Sequence, residues 1–526
     1  MQSIVTPLEA VLTADTRLLQ VSVRASWLKV EDLATVYAVV GSSLVNSSDL
    51  VQGASAVITN ADLFSYMDES AYAMRIDYDR RIDEPRGGVS YAIANVLLDN
   101  IDGRFTPNKN ATIGTAIEAR RPFKMSLGFI ADSAARMAQI IVGLTANRPK
   151  LSRSARTVDV DIFDYITFID NATLAAAVYE DMRSDEIIES ILVSLGFGAS
   201  QYLLDTGLNT IPFAWFDKTK SAGRRIRDIC EAEEATFYQD ENGVLRFQNR
   251  NTYQNFPYQT IQRTIDPSDI ITDDDDESTK IINRAIVIAK PRKIDAAAAD
   301  VWTHGTVESI APGQTITIWA AFYDDQSGNS PLPIKDITTP ASTTDYTGNT
   351  ASDGSGTDRT ASLSLVVTNF VESAKIEVTN NHGSDTVYVT LLKLRGKAAR
   401  VTQAIQAVVE DADSINKYEA QEYTITNDLI QDGTVANTIA NNLVNKYKDP
   451  MRRRVIRIPG IPHLQLKDLI YVINPNAENL IPNPSFEVNT DNWSVSTTGS
   501  IAAPLTRARD VPIPDGFFAG KLSITT

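Results

Sequence analysis

The chain has 526 residues, 43% of them hydrophobic and 22% charged, so we expect it to fold into about three to five domains. Its net charge of −17 argues against a nucleic-acid-binding surface, which normally carries an excess of Lys and Arg. A single cysteine, Cys230, excludes an internal disulfide framework and a Cys-based zinc site within the chain. The three histidines, His304, His382 and His463, are far apart in sequence, which argues against a His-rich metal site.

No targeting or membrane segment is expected. The N-terminal segment Met1–Gln20 has no basic region followed by an apolar one, because Glu9 and Asp15 interrupt it. Elsewhere no stretch reaches the roughly 18 consecutive apolar residues of a membrane span. We therefore expect a protein that is made in the cytoplasm, has no membrane span and carries no export signal of its own.

The first third of the chain is expected to be mostly β-strands. Val21–Trp27, Ala71–Tyr78 and Tyr91–Leu98 are short β-rich runs separated by polar turns. Strands are expected to continue from Phe123 to Phe168, and Thr157–Phe163 alternates apolar with acidic residues as a half-exposed strand does.

A polar string, Asp99–Pro107, follows the third of these strands. Its Asp and Asn residues predict a turn, in which Gly103 adopts a positive φ. A calcium loop is the alternative, but the string lacks the ligand spacing and the closing glutamate of such loops.

The middle of the chain predicts a small α+β unit. Ser184–Glu186 is expected to cap a helix that ends at Gly196, and a second helix is expected to begin near Ser221. The apolar positions of these two helices are Ile187, Ile188, Ile191, Leu192, Leu195, Ala222, Ile226, Ile229 and Cys230. Cys230 is therefore interpreted as a core residue, not as a nucleophile. A hairpin with its turn at Asp240–Gly243 completes the unit.

The second half mixes strands with one further helix. The acidic run Asp273–Glu277 is either a cation site or a solvated linker, and the linker is favoured because consecutive like charges repel each other. Residues 302–395 predict a β-sandwich with a long Ser/Thr/Gly/Asp-rich loop at Thr338–Thr360. Val435–Tyr447 predicts a helix that ends before Pro450, and strands follow at Arg454–Ile458 and Leu464–Val472.

Several of these segments resemble the hub and minor tail proteins of long-tailed bacteriophages. The string Leu-Asp-Asn-x-Asp-Gly-Arg-Phe-Thr-Pro within Val96–Pro107 resembles a motif common in them. The segments that follow in matching order are Ile141–Gly143, Val158–Ile169, Glu186–Phe197, Tyr238–Phe247, Val435–Pro450 and Leu464–Val472, with an insertion that contains Asp353–Thr357 and Gly396. One departure is Lys417–Glu419, where such proteins often carry Tyr-Gly.

This resemblance implies a multidomain, β-rich α+β fold and the division that follows. Residues 1–130 would form an N-terminal hub barrel, 131–180 a connecting β domain, 181–270 the helix–hairpin domain, 271–301 with 396–476 a second hub barrel, 302–395 an inserted sandwich, and 477–526 the start of a carbohydrate-binding-like module. In the last module, Phe486 and Trp493 are expected to be packing residues rather than sugar platforms. Its ligand-facing strands would lie beyond Thr526.

The function that the resemblance implies is structural. It predicts a virion protein at the tail tip that forms a homotrimer, contacts the distal tail, tape-measure and receptor-binding proteins, and lets DNA pass. Host-surface carbohydrate would be bound through residues beyond Thr526. We expect no catalytic, cofactor-binding or metal-binding residues, because no peptidase, esterase or zinc-hydrolase motif is present.

Two other functions stay open at this point. A tail-associated hydrolase of cell wall or capsule would need two convergent carboxylates, and no acidic pair stands in a recognisable motif. A cell-surface adhesin is disfavoured by the missing signal segment and the helix–hairpin middle. If the protein is a hub, its arginine clusters are expected to face neighbouring subunits and partners, away from the DNA; they are Arg80–Arg81, Arg120–Arg121, Arg224–Arg225 and Arg452–Arg454.

Overall fold

The computed structural model describes residues 19–27, 39–40, 43–44, 66–81, 88–107, 109–110, 113, 116–131, 134–252, 259–276, 281–324, 330–450, 453–458, 460–465, 468–473, 506–508 and 519–521. Over these residues the protein is rich in β-strands, with few helices and several sheets. The chain forms two compact units. The first comprises Met1–Thr260, Asp274–Val455 and Gly460–Asp468, and the second comprises Ile261–Asp273, Ile456–Pro459 and Leu469–Thr526.

An eight-stranded antiparallel sheet dominates the N-terminal part, in the order β4-β1-β8-β9-β11-β7-β5 with β10 paired to β11. The strands are β1 (Leu19–Ala25), β2 (Val39–Val40), β3 (Ser43–Leu44), β4 (Met67–Asp68), β5 (Ala73–Arg81), β6 (Gly88–Val89), β7 (Tyr91–Asp99), β8 (Pro122–Ala131), β9 (Ala134–Thr145), β10 (Lys150–Ser152) and β11 (Thr157–Phe163), of which β2 and β3 pair with each other. Alternating residues of β7 and β11 are buried, as the sequence predicts for half-exposed strands. Their apolar side chains form one core around Trp27, Phe105 and Phe123.

The strand expected to continue to Phe168 ends earlier. Helix α1 (Tyr165–Asn171) begins directly after β11, so this part of the sequence prediction is wrong. Asp164 caps the helix by accepting a hydrogen bond from the backbone N–H of Thr167. Tyr165, Ile166 and Ile169 are buried on one side of the helix, a spacing that a strand would have split between its two faces.

The predicted helix–helix–hairpin unit is present. It consists of β12 (Ala177–Arg183), α2 (Ser184–Ser194), β13 (Tyr202–Leu204), β14 (Thr210–Phe216), α3 (Ala222–Glu233), β15 (Thr236–Gln239) and β16 (Leu245–Gln248). Ser221 caps α3, and β15 and β16 form the hairpin around the positive-φ Gly243. Cys230 is fully buried in the core shared by these helices, which confirms its interpretation as a core residue.

Four residues of the acidic run, Asp273–Asp276, lie in a strand and not in a linker, and Glu277 lies outside the described residues. After β17 (Arg263–Ile265), strand β18 covers Thr272–Asp276. Within the described residues, no group of three or more His, Cys, Asp or Glu side chains could hold a metal ion.

Residues 292–401 contain a six-stranded sheet and a three-stranded sheet that share one core, together with a separate two-stranded sheet. Strand β19 (Arg284–Ala289) precedes them, and they comprise β20 (Arg292–Ile294), β21 (Ala299–Thr303), β22 (Glu308–Ile310), β23 (Thr315–Ala321), β24 (Tyr323–Asp324), β25 (Ser330–Pro331), β26 (Ile334–Ile337), β27 (Tyr346–Asn349), β28 (Leu363–Asn369), β29 (Ser373–Asn380) and β30 (Val387–Val401). Strands β20, β21, β22, β26 and β27 all pair with β30, while β23, β29 and β28 form the second sheet. The expected loop at Thr338–Thr360 contains β27, because Tyr346–Asn349 pairs with the long strand β30.

The chain then returns to the core of the helix–hairpin unit. Strands β31 (Ile405–Glu410) and β32 (Glu422–Thr426) flank β19, with the short helix α4 (Ala412–Tyr418) between them in sequence. Helix α5 (Gly433–Tyr447) buries Ala436, Ile439, Ala440, Leu443 and Tyr447, as predicted from their spacing. This helix packs in the same core as α2 and α3.

The turn after α4 is strained at the position where the sequence departs from the tail-protein pattern. Glu419 has φ 60° and ψ 172°, a region populated almost only by glycine. We therefore expect Glu419→Gly to raise the free energy of unfolding by about 1–2 kcal/mol. Urea unfolding would measure the difference in free energy of unfolding between this variant and the wild type. Glu419→Ala is the control and should not be stabilised, because alanine keeps the Cβ atom. Equal stabilisation by both variants would contradict the assignment of strain.

The second unit is small. Strands β33 (Arg453–Arg457), β34 (Ile470–Val472), β35 (Thr506–Ala508) and β36 (Ala519–Lys521) follow α5, and β34 pairs in parallel with β17. Of the described residues in the strand predicted over Leu464–Val472, only the last three are in a strand. Phe486 and Trp493 lie outside the described residues.

Candidate interaction site at the glycine turn

The polar string Asp99–Pro107 forms a tight turn at the end of β7. Gly103 has φ +80°, as predicted, and its N–H donates to the carbonyl of Asn100 at 3.0 Å. The buried Asn100 side chain accepts from the N–H of Phe105 at 2.9 Å and donates to the Thr106 hydroxyl at 2.9 Å. These bonds replace the strand ladder that ends at Asp99 and fix the backbone of the turn.

A buried carboxylate ties this turn to the first strands of the sheet. Glu69 is fully buried and accepts hydrogen bonds from the Trp27 indole N–H at 3.0 Å and from Arg104 at 2.8 and 2.9 Å. The hydrogen bond to Glu69 raises the pKa of Arg104, so the guanidinium stays protonated. Tyr72 packs its ring 5.2 Å from the Arg104 guanidinium and donates its hydroxyl to Asp102. The turn is therefore held by a charge-assisted network and presented rigidly.

A cavity of about 280 Å³ lies beside the turn. Its apolar walls come mainly from buried side chains and its rim carries two exposed arginines; the lining residues are Phe105, Thr106, Pro107, Ile117, Arg148, Pro149, Leu151, Arg153 and Val158. Residues 147–156 contribute four cations and no acid, and within the described part of the chain Arg148 and Arg153 form no ion pair. The accessible lining of the cavity is mostly polar, and two arginines stand at its rim, so it can hold an acidic segment.

Sequence reasoning found the turn but missed the groups around it. Glu69 and Trp27 lie more than 30 positions from Arg104 in sequence, and only the sheet brings them together. The signal that could have indicated the cavity rim is the basic stretch at residues 147–156 in an otherwise acidic chain.

Replacing Gly103 by valine tests how much the turn depends on its conformation. A β-branched residue is strained at φ +80°, so we expect Gly103→Val to lower the free energy of unfolding by about 1–3 kcal/mol. The added Cβ would also lie 2.5 Å from the flexible Lys109 side chain, which can move away. The matched control is Gly305→Val, where a Cβ meets nothing within 4 Å and φ is not positive. If urea unfolding gives the same free energy of unfolding for the two variants, the prediction is wrong.

The arginine clusters do not all face outward, which corrects the sequence expectation. Arg121 and Arg225 are buried inside the chain, where their guanidinium groups donate to backbone carbonyls. Arg224 and Arg120 are exposed, and Arg80 contacts Gln239 and Tyr238. The side chains of Arg81 and Arg452–Arg454 lie outside the described residues. In two of the clusters, therefore, one arginine is buried within the chain and its neighbour is exposed.

Comparisons with known proteins find only distant structural similarity. No protein-family model matches the chain, and no curated protein matches it by sequence. None of the described helices is long and apolar enough to cross a bilayer.

Three solved structures with distant similarity are two tail proteins and a PdpA–VgrG complex. A tail protein from Neisseria meningitidis aligns with 8% identity and a TM-score of 0.31, covering 51% of this chain and 64% of that one, which is less than two thirds of its length. The 43 kDa tail protein of prophage MuSo2 from Shewanella oneidensis aligns with 8% identity and a TM-score of 0.40, covering 87% and 89%. The Francisella PdpA–VgrG complex aligns with 11% identity and a TM-score of 0.30, covering 73% and 58%. TM-scores below 0.5 do not define a shared fold.

Proposed function

We propose that this chain is a structural component of a bacteriophage tail tip, a hub or minor tail protein that closes or continues the tail tube. The observation that carries the proposal is the turn at Asp99–Pro107. Its sequence resembles the tail-hub motif, and its Asn100, Gly103 and Arg104 each make a contact that the turn needs. A loop fixed from beneath by a buried Glu69 is suited to constant contact with a neighbouring subunit rather than to movement during catalysis.

The order of elements along the chain also supports a tail role. The helix Ser184–Ser194, the hairpin Thr236–Gln248 and the helix Gly433–Tyr447 stand where the tail-protein pattern has a helix, a hairpin and a closing helix. They share one core. The domain division inferred from the sequence, including the two hub barrels, remains part of this proposal.

The partners follow from the same role. The chain would form a homotrimeric ring, because closed rotational symmetry satisfies head-to-tail interfaces and covers exposed sheet edges such as β5. The cavity beside the glycine turn is proposed to receive an acidic, partly apolar segment of an adjoining component, such as the distal tail or tape-measure protein. Receptor-binding proteins would attach to the same tip, and synthesis would take place in the host cytoplasm.

The net charge suits a ring through which DNA passes. A net charge of −17 repels a polyanion such as DNA, which opposes tight binding through counterion release. Arg121 and Arg225, buried in the chain, cannot contact DNA. Tight, salt-sensitive binding of the purified protein to duplex DNA in a gel-shift assay would contradict this part of the proposal.

Locating the protein in virions tests the function directly. Immunogold labelling with an antibody against the chain is expected to mark the tip of the tail, and deletion of its gene is expected to abolish functional tails. Quantitative mass spectrometry should find a multiple of three copies per virion. Absence from purified virions would overturn the proposal, and release of fragments from purified cell wall by the pure protein would favour a hydrolase.

A further inference from the structure

One face of the three-stranded sheet β23–β29–β28 points away from the core of its unit. Burial alternates along β29, where Ile376 and Val378 are buried and Lys375 and Glu377 point to the opposite face. Strand β23 follows the same pattern and turns Trp319 outward. We call this surface the outer face; its side chains are exposed or partly exposed.

The outer face carries a pair of exposed aromatic rings. Trp319 is 60% exposed and Phe370 is 44% exposed, and their rings stack with centroids 5.8 Å apart and planes inclined by 29°. Tryptophan is a largely buried residue in most proteins, so a tryptophan exposed on a strand indicates a binding surface. Val366, 60% exposed on β28, extends the apolar part of the face.

The rest of the outer face is polar and uncharged overall. The strands present six hydroxyl-bearing residues there, Thr315, Thr317, Ser364, Thr368, Ser373 and Thr379. Lys375 Nζ lies 2.8 Å from Glu377 Oε1, and this ion pair holds the only charged side chains on the outward positions of the three strands. A patch without net charge stands out on a chain of −17.

The register places these groups next to each other. Trp319 is the cross-strand neighbour of Lys375, and Thr317 is the neighbour of Glu377. On the other side of β29, Glu377 adjoins Val366 and Lys375 adjoins Thr368. Trp319 therefore lies one strand spacing, about 5 Å, from the charged donor Lys375. The charged acceptor Glu377 is its diagonal neighbour, at about 7–8 Å.

We propose that the outer face binds an uncharged glycan, with one pyranose ring stacked on Trp319. A pyranose presents C–H groups on its faces, which pack on the electron-rich face of an aromatic ring, and hydroxyls at its edge. The edge hydroxyls would donate to Glu377 and accept from Lys375, whose mutual ion pair orients both groups. Phe370 would support the indole from the side.

Other ligand classes fit this face less well. Protein interfaces have cores that are depleted in serine and in lysine and glutamate, whereas this patch surrounds its aromatics with hydroxyls and an ion pair. A nucleic acid or a sulfated glycan would need cations without an acidic partner, and Lys375 is paired with Glu377. An uncharged, hydroxyl-rich and partly apolar ligand matches the exposed aromatic rings, the surrounding hydroxyl groups and the absence of net charge on the outer face.

A glycan microarray with neutral, sialylated and sulfated glycans tests the proposal on the full chain. We expect the wild type to bind at least one neutral glycan. We expect Trp319→Ala to weaken that binding about 10-fold or more, as loss of one stacking partner does for other ring ligands. Glu377→Gln should weaken it less, because the amide still accepts a hydrogen bond. The matched control is Tyr471→Ala, which removes an aromatic of similar exposure (53%) elsewhere in the chain and should bind as the wild type does.

Three results would overturn the proposal. They are binding of charged glycans only, no binding of any neutral glycan, and unchanged binding by Trp319→Ala. A second copy of the chain is the other possible occupant of the outer face, and analytical ultracentrifugation tests for it. If the wild type is a dimer and Trp319→Ala is not, the outer face is a dimer interface and the glycan proposal is wrong. Thermal unfolding should show that the variant is folded, because most of the indole surface is solvent-exposed. The inference does not depend on a role in the tail, which virion labelling tests separately.

Discussion

Replacing Arg225 by methionine is expected to lower the free energy of unfolding by about 3–5 kcal/mol, the cost of breaking a buried charge-assisted network. Arg225 is fully buried at the start of α3. Its guanidinium donates to the carbonyls of Lys220, Leu174, Ala175 and Asp217 at 2.9–3.1 Å. Methionine can fill most of the volume but cannot donate, so four carbonyls in a buried region would lose their partner.

The buried positive charge of Arg225 depends on these carbonyl contacts for its stabilisation. Burial lowers the pKa of Arg225, and no described carboxylate forms an ion pair with it. The positive charge is stabilised by carbonyl dipoles and by the Phe216 ring, 5.5 Å from the guanidinium carbon. Arg225→Lys should therefore recover only part of the stability, since an ammonium group lacks the planar fork that reaches several carbonyls at once.

The neighbouring arginine provides a matched control. Arg224 has the same side chain one position earlier, but it is mostly exposed and pairs with Asp228 at 2.8 Å. Exposed ion pairs contribute about 0–1 kcal/mol, so Arg224→Met should unfold close to the wild type. Both variants can be compared by urea unfolding followed by circular dichroism. Equal losses in the two variants would show that the buried carbonyl contacts contribute nothing beyond charge.

The second large effect is a pH dependence that Asp164 introduces. Asp164 is 1% exposed and caps α1, accepting from the N–H groups of Ala92 at 2.7 Å and Thr167 at 3.3 Å. Burial raises the pKa of its carboxyl from the model-compound value of 3.8 to about 7. A raised pKa means that the folded state binds the proton more tightly than the unfolded state does.

The sign of the pH effect follows from that difference. The contribution of Asp164 to the free energy of unfolding is fully present below pH 4 and is lost as the pH rises through about 7. Asp164→Asn removes the titration. The stability of the wild type relative to this variant should therefore fall by about 4 kcal/mol between pH 4 and pH 7.5, since each pKa unit corresponds to about 1.4 kcal/mol.

A second helix cap should behave in the opposite way. Asp432 caps α5 from an exposed position, and hydrogen bonds from the N–H groups of Val435 and Thr434 lower its pKa. Its contribution is present above the unfolded pKa and is lost as the pH falls, so the gap to Asp432→Asn should shrink in acid. Urea unfolding at a series of pH values would compare the two. If the difference in free energy of unfolding between the wild type and Asp164→Asn does not vary with pH, burial does not raise the pKa of Asp164.

Local patterns in the sequence determined most of the individual elements. The apolar spacing of Ile187–Leu195 and Val435–Tyr447 defined two helices, and the Asx-rich string before Gly103 defined a positive-φ turn. These signals are local, because helix periodicity, capping and turn chemistry act within a few residues of each other. The same reasoning failed at Tyr165–Asn171, where a seven-residue helix is too short to show its period beside a strand.

The tertiary structure alone decided which groups meet. Nothing local joins Glu69 to Trp27 and Arg104, brings Arg225 against four carbonyls, or stacks Trp319 on Phe370. Adjacent arginines such as Arg224 and Arg225 look alike in sequence, yet one is exposed and the other is buried. Burial and long-range pairing depend on how sheets and helices pack, so the charge state and role of each polar group are set by contacts that sequence spacing does not contain.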